Sequence, residues 1–213
     1  MNKILEELNG VAESDYAVFH SKIANTQKKI LGVRMPLLRK MAKSLDYDDV
    51  RTENVDVYEV VMLQGLTFAK KSYEQLKVLL PEVVKNFDSW AFIDSVVPSC
   101  KAIEQNIDKA KHELFPICFS GEFFRRFYIV AIMNFCPLDG FAMSKVKELE
   151  NGDYYVMMAI AWYISVIFTC DFDLGVEYMK SFSPTVQKMA IRKGLDSFRL
   201  SKQQKQYLKS LKN

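Results

Sequence analysis

Helical periodicity, renewed segment after segment, limits most strongly what this chain can fold into. Leu76, Leu79, Leu80, Val83, Val84 and Phe87 recur at the i, i+3, i+4, i+7 spacing that lines one face of a helix. No stretch bounded by turn signals alternates apolar and polar residues, as a half-buried strand would. Breakers separate the periodic segments: Gly32 with Pro36, the TEN at 52–54, Pro98, Pro116, Pro137 with Gly140, the NGD at 151–153, and Pro184. Several read as helix starts, with Pro36 in a first turn and Asp153 or Ser183 as a cap. Roughly ten to twelve helices of about 10–17 residues are predicted, joined by short links. No Pro/Gly/Ser-rich linker divides the chain, so residues 1–213 read as a single all-α domain. Periodicity leaves a globular bundle and stacked helical pairs both open.

The 213 residues are 49% apolar and 26% charged, enough for a sizeable core and ordinary for a soluble globular protein. The N-terminal MNKILEELNG carries Glu6 and Glu7 and no long apolar run, unlike a secretory signal. The longest apolar run, YYVMMAIAWYISVIF at 154–168, is flanked by Asp153 and Asp171. It falls short of the ~20 residues a membrane crossing needs. Cysteines at 100, 118, 136 and 170 form no C-x-x-C pair, and only His20 and His112 could assist them. Neither a metal site nor a cofactor is expected, and reduced, mostly buried thiols suit a cytoplasmic protein.

Charge is unevenly spread. Residues 46–59 hold six acidic residues against Arg51. From Lys180 onward there are nine basic residues against Asp196 alone. Lys188, Arg192 and Lys193 share one helical segment, and Lys202, Lys205, Lys209 and Lys212 recur along one face of the next. A phosphate backbone would meet such a face by releasing counterions. The plainer reading is a solvated amphipathic helix whose other face packs Leu208 and Leu211.

The segment DSWAFIDSVVP (88–98) poses a sharper question. Trp90, Ile93 and Val97 mark a buried stripe, and Asp94 sits on it. A carboxylate there is either buried and paired or turned to a cleft. Three further stretches accompany it: ILGVRMPLLRKMAK (30–43), FFRRFYIVAIMNF (123–135) and MMAIAWYIS (157–165). In kind and order these resemble the DNA alkylation repair family typified by the AlkD glycosylase. The shared pattern is a G-[VI]-x-x-P-x-x-R-like opening, a W-x-x-x-D-S-x-V-P helix, an apolar helix ending in AI, an A-I-x-W helix, and a basic C-terminal region. The likeness spans residues 28 to 210.

That resemblance implies HEAT-like helical repeats in a curved α-α superhelix. It implies hydrolysis of the N-glycosidic bond of cationic 3-alkyladenine and 7-alkylguanine in duplex DNA, without base flipping. A cationic base already leaves readily, so the site must stabilise a developing oxocarbenium ion and place a water. By resemblance Asp94 is the catalytic carboxylate, with Trp90 and Trp162 as substrate-binding indoles. Arg125, Arg126, Lys188, Arg192 and Lys193 are the candidate DNA contacts. We expect a monomer acting on alkylated duplex DNA, with no membrane or metal.

Two departures support an alternative. Ile129 stands where active family members carry an arginine, and the N-terminal region lacks the family's basic, Met/Tyr-rich helix. The alternative is a catalytically weak or inactive helical scaffold that binds DNA or protein. On that reading Trp90 and Asp94 serve as core and cap.

Overall fold

A computed structural model of the protein describes residues 3–52 and 54–211. Among these residues there are fifteen α-helices and no strand; a lone backbone bridge joins Lys29 to Val57. The chain falls into two compact units, Met1–Asn106 and Ile107–Asn213. None of the described helices is long and apolar enough to cross a membrane.

Unit one contains α1 (Lys3–Gly10), α2 (Ser14–Ala24), α3 (Met35–Ser44), α4 (Tyr47–Val50), α5 (Tyr58–Phe68), α6 (Tyr73–Val84), α7 (Trp90–Val96) and α8 (Lys101–Gln105). Helices are more numerous and some shorter than periodicity predicts, because local caps cut the apolar runs. Asp46 and Asp49 form a capping box at α4, and Val97–Ser99 closes α7 as a 3-10 turn carrying Pro98. All eleven residues of α5 are buried, and α1, α3, α4, α6 and α7 pack around it. Fully burying a side chain such as Met62, Leu63 or Phe68 contributes roughly 1.5–3 kcal/mol.

A helix enclosed on every side must satisfy its own polar groups. Gln64 donates to the Val50 carbonyl at 2.9 Å, and Thr67 to the Leu63 carbonyl at 2.8 Å. Glu59, wholly buried, accepts backbone N–H groups from Leu31 (3.0 Å), Gly32 (2.8 Å) and Val33 (3.2 Å). The Gly–Val–Arg turn is thus wrapped around one carboxylate. Gly32 has φ +97°, and a Cβ there would lie 2.2 Å from the Glu13 carbonyl oxygen. Arg34 closes the turn from outside, donating to both Glu13 oxygens at 2.8 and 2.9 Å and lying 4.6 Å over Tyr16.

Unit two contains α9 (Ile107–Glu113), α10 (Glu122–Phe135), α11 (Gly140–Glu148), α12 (Tyr154–Cys170), α13 (Phe172–Lys180), α14 (Pro184–Asp196) and α15 (Lys202–Ser210). The apolar run at 154–168 is the spine of this unit, with α10, α13 and α14 packed on α12. In both units alternate helices pack on one another: α3 on α5 on α7, and α10 on α12 on α14. Ser183 caps α14 as predicted, accepting from Val186 N–H at 3.4 Å. Asp153 stands at the N-cap of α12 but makes no cap bond there; its carboxylate is held by Arg125 and Asn151 instead.

Glu59→Gln puts an amide where three N–H donors converge. We expect it to cost about 3 kcal/mol or more in urea unfolding, with faster hydrogen exchange at the amides of residues 31–33. A second test concerns His20, which is 8% exposed and stacked on Tyr16, with its Nδ1 lacking a partner. Burial holds its pKa below the ordinary 6.5, against the pull of the Glu59 charge. As pH falls below 6.5, the unfolded chain gains a proton that the folded one resists, so stability is lost through that range. His20→Phe should flatten the pH dependence of the unfolding midpoint as pH falls below about 6.5.

Candidate functional site

The segment bearing Trp90 and Asp94 is fixed at both ends. Asp88 accepts from the Thr26 hydroxyl (2.6 Å) and the Gln27 N–H (3.0 Å). Ser89 caps α7 by accepting from Ala91 N–H, and donates its own hydroxyl to the Ala24 carbonyl. At the far end Arg39 donates to the Ser95 carbonyl (3.2 Å) and to Ser99 Oγ (3.1 Å), a cation where the helix dipole favours one. Arg39 is the arginine of the G-x-x-x-P-x-x-R-like opening. Between these anchors α7 lies close on α5, because a Cβ at Gly65 would come within 2.5 Å of Val96.

This clamping decides which face of α7 is buried. Phe92, Ile93, Val96 and Val97 are wholly buried, and the Phe92 ring stacks on Phe87 at 5.1 Å. Trp90, Asp94 and Ser95 are half-buried. The stripe predicted from spacing therefore divides: Ile93 and Val97 belong to the core, whereas Trp90 and Asp94 lie at the margin of unit one.

The paired arginines of α10 serve the fold of unit two. Arg125 pairs with Asp153 at 3.0 Å, which offsets a cation's unfavourable position at a helix start. Arg126 is only 5% exposed and donates to the Tyr155 carbonyl at 2.9 Å. Glu122 accepts the Tyr155 N–H at 2.9 Å, so the first turns of α10 and α12 are stitched together by three residues. Ile129, one turn on, is wholly buried. As a DNA contact Arg126 meets a physical objection: its guanidinium is withdrawn from the surface. Glu122 and Asp153 were the sequence signal for these ties, but nothing local pairs residues about thirty positions apart.

Trp162 is half-buried and lines a cleft of about 590 Å³ within unit two. The same cleft receives Asn134 from α10, Thr169 from α12, Lys193 and Asp196 from α14, and Arg199 beyond it. Among the sequence candidates, the structure thus brings Trp162 and Lys193 to one lining. Asn134, Asp196 and Arg199 were not foreseen, since they come from three segments and carry no motif. Lys188 and Arg192 are exposed on α14, as are Lys202 and Lys209 on α15. Lys205 is half-buried, Leu208 on the opposite face is wholly buried, and Lys212 lies outside the described residues. Among the described residues from Lys180 onward, no cation forms an ion pair. In unit one, α2 carries exposed Val18, Phe19 and Ile23 with one lysine, Lys22, rather than a basic face.

No group of three His, Cys, Asp or Glu side chains among the described residues is disposed to hold a metal ion. No protein-family model matches the chain, and no curated protein matches it.

Cys100 and Cys118 are buried, Cys136 is half-buried and Cys170 is exposed. Burial pushes the Cys118 thiol up to about 12 and the Cys136 thiol up to about 11, leaving little thiolate at neutral pH. An aromatic disulfide reagent should therefore label Cys170 first. Cys170→Ser should remove the fast phase and leave the slow reactions that follow unfolding.

Proposed function

We propose that the protein is an AlkD-like DNA alkylation repair glycosylase, built of HEAT-like helical repeats stacked in a curved superhelix. The alternate-helix packing within each unit supports the repeat reading. The observation that carries the function is on α7. A helix whose Ala91, Phe92, Ile93 and Val96 are sunk in the core leaves its tryptophan and its carboxylate, one turn apart, at the margin of unit one.

The chemistry asks for little more. The bond from the sugar C1′ to the cationic purine nitrogen breaks, the electron pair goes to the base, and the base leaves neutral. Asp94 stabilises the positive charge that develops on the sugar and orients the water that adds to C1′. The water's proton is then released, and an abasic site remains. Trp90 offers an aromatic face to the same cation. Lys188 and Arg192 supply phosphate contacts, which makes affinity fall steeply with salt.

One finding favours a second reading, a helical scaffold without base release. Ile129 is wholly buried where active family members carry an arginine, so no cation stands at that position to steady the phosphate beside the reacting sugar.

Release of 7-methylguanine from methylated duplex DNA separates the two. The wild type should release base at single-turnover enzyme excess, and Asp94→Asn should lower the rate by roughly 10²- to 10³-fold. No release above the spontaneous rate by the wild type, with duplex binding intact, would establish the scaffold.

A further inference from the structure

The cleft around Trp162 lies wholly within unit two, and its lining is chemically mixed. At about 590 Å³ it falls within the roughly 300–1,000 Å³ typical of small-molecule sites. Lys193 and Arg199 bring two positive charges and Asp196 one negative charge. Neither cation is ion-paired among the described residues, although Lys193 and Asp196 stand three residues apart on one helix. The carbonyl ends of α10, α12 and α14 bring partial negative charge to the cleft, so an anion there must be held against it by the two cationic side chains.

The uncharged groups point to what else the ligand carries. Asn134 donates one Nδ2 hydrogen to the Val130 carbonyl at 2.7 Å, which leaves Oδ1 to accept and the second Nδ2 hydrogen to donate. Ser165 and Thr169 donate to the carbonyls of Trp162 (2.7 Å) and Val166 (2.8 Å), so towards the cleft these two hydroxyls can only accept. The lining therefore combines cationic donors, neutral and anionic acceptors, and an indole. A bare anion would use only the cations. An apolar ligand would leave every polar group without a partner, which costs affinity. A ligand with an anionic group, donor-bearing amino or hydroxyl groups and a flat aromatic ring uses all three.

We infer that this cleft is a binding site for a nucleoside monophosphate, with the base on Trp162 and the phosphate held by Lys193 and Arg199. Asn134 Oδ1 and Asp196 accept from the base amino group and the sugar hydroxyls. The same chemistry is offered by a free mononucleotide and by the phosphorylated end of a strand. The inference does not rest on base release, since no part of it uses Asp94.

The protein has two tryptophans, so Trp90→Phe leaves Trp162 as the sole indole reporter. In that background, fluorescence is titrated with AMP, adenosine, inorganic phosphate and a 5′-phosphorylated oligonucleotide. AMP should quench saturably and bind at least about tenfold more tightly than adenosine or phosphate. Lys193→Gln with Arg199→Gln should weaken AMP by about tenfold or more and change adenosine by less than about twofold. Both side chains reach solvent, and circular dichroism checks that the variant keeps its helices. Equal affinities for AMP and the oligonucleotide assign the site to free nucleotide, and at least about tenfold tighter oligonucleotide binding assigns it to a strand end. Absence of saturable AMP quenching up to about 10 mM overturns the inference. So does AMP binding indifferent to the double substitution, or phosphate binding as tightly as AMP. Asp94→Asn should leave AMP binding unchanged, so loss of base release and loss of nucleotide binding are read separately.

Discussion

Each unit is built around one predominantly apolar helix. In unit one this is α5, with all eleven residues buried; in unit two it is α12, whose apolar length no single neighbour could cover. Such a helix must be packed on by several neighbours, and its buried polar side chains have no water to satisfy them. Both demands shape the fold. Alternate helices pack onto α5 and α12 from either side, and the buried Glu59, Gln64 and Thr67 of α5 each find backbone partners. Glu59 is the extreme case, because a buried carboxylate is tolerable only when its charge is met by several donors. The three amides it gathers, those of Leu31, Gly32 and Val33, lead directly into α3, so the core helix also sets where α3 begins. Through Arg39, α3 in turn steadies the end of the helix that carries Asp94.

Charge is handled differently along the chain. Arg34, Arg51 and Lys71 of unit one, and Lys111 and Arg125 of unit two, are matched with carboxylates. Among the described residues from Lys180 onward no cation is so matched. Exposed pairs contribute little to stability, so the contrast concerns partners rather than folding. Cations left without carboxylates are screened by mobile counterions, which a polyanion can displace. Phosphate contact, proposed on the exposed face of α14 and inside the cleft at Lys193, rests on this contrast.

Much of the fold was legible in the residues themselves. Apolar spacing points to the helical class, Pro36 and Ser183 stand at helix starts as expected, and the run at 154–168, too short to cross a membrane, forms most of α12. The number and length of helices were less accessible, because short elements such as α4 and α7 are cut by caps rather than by loss of periodicity. The candidate site was legible by parts. Trp90, Asp94 and Trp162 stood out as unusual residues in apolar helices. Asn134, Asp196 and Arg199 did not, because nothing in their neighbours marks them, and Arg126 looked like a surface cation until its burial was known.

The order of apolar and breaking residues was enough to determine a helical protein with a basic C-terminal region, since both follow from local spacing and simple charge counting. The linear order could not reveal which polar groups meet. Glu59 reaches a turn some thirty residues before it, Arg125 and Arg126 reach the start of α12, and Lys193 shares a cleft with Trp162. Those meetings depend on how helices pack, and packing is decided by the whole buried surface at once rather than by any stretch of it.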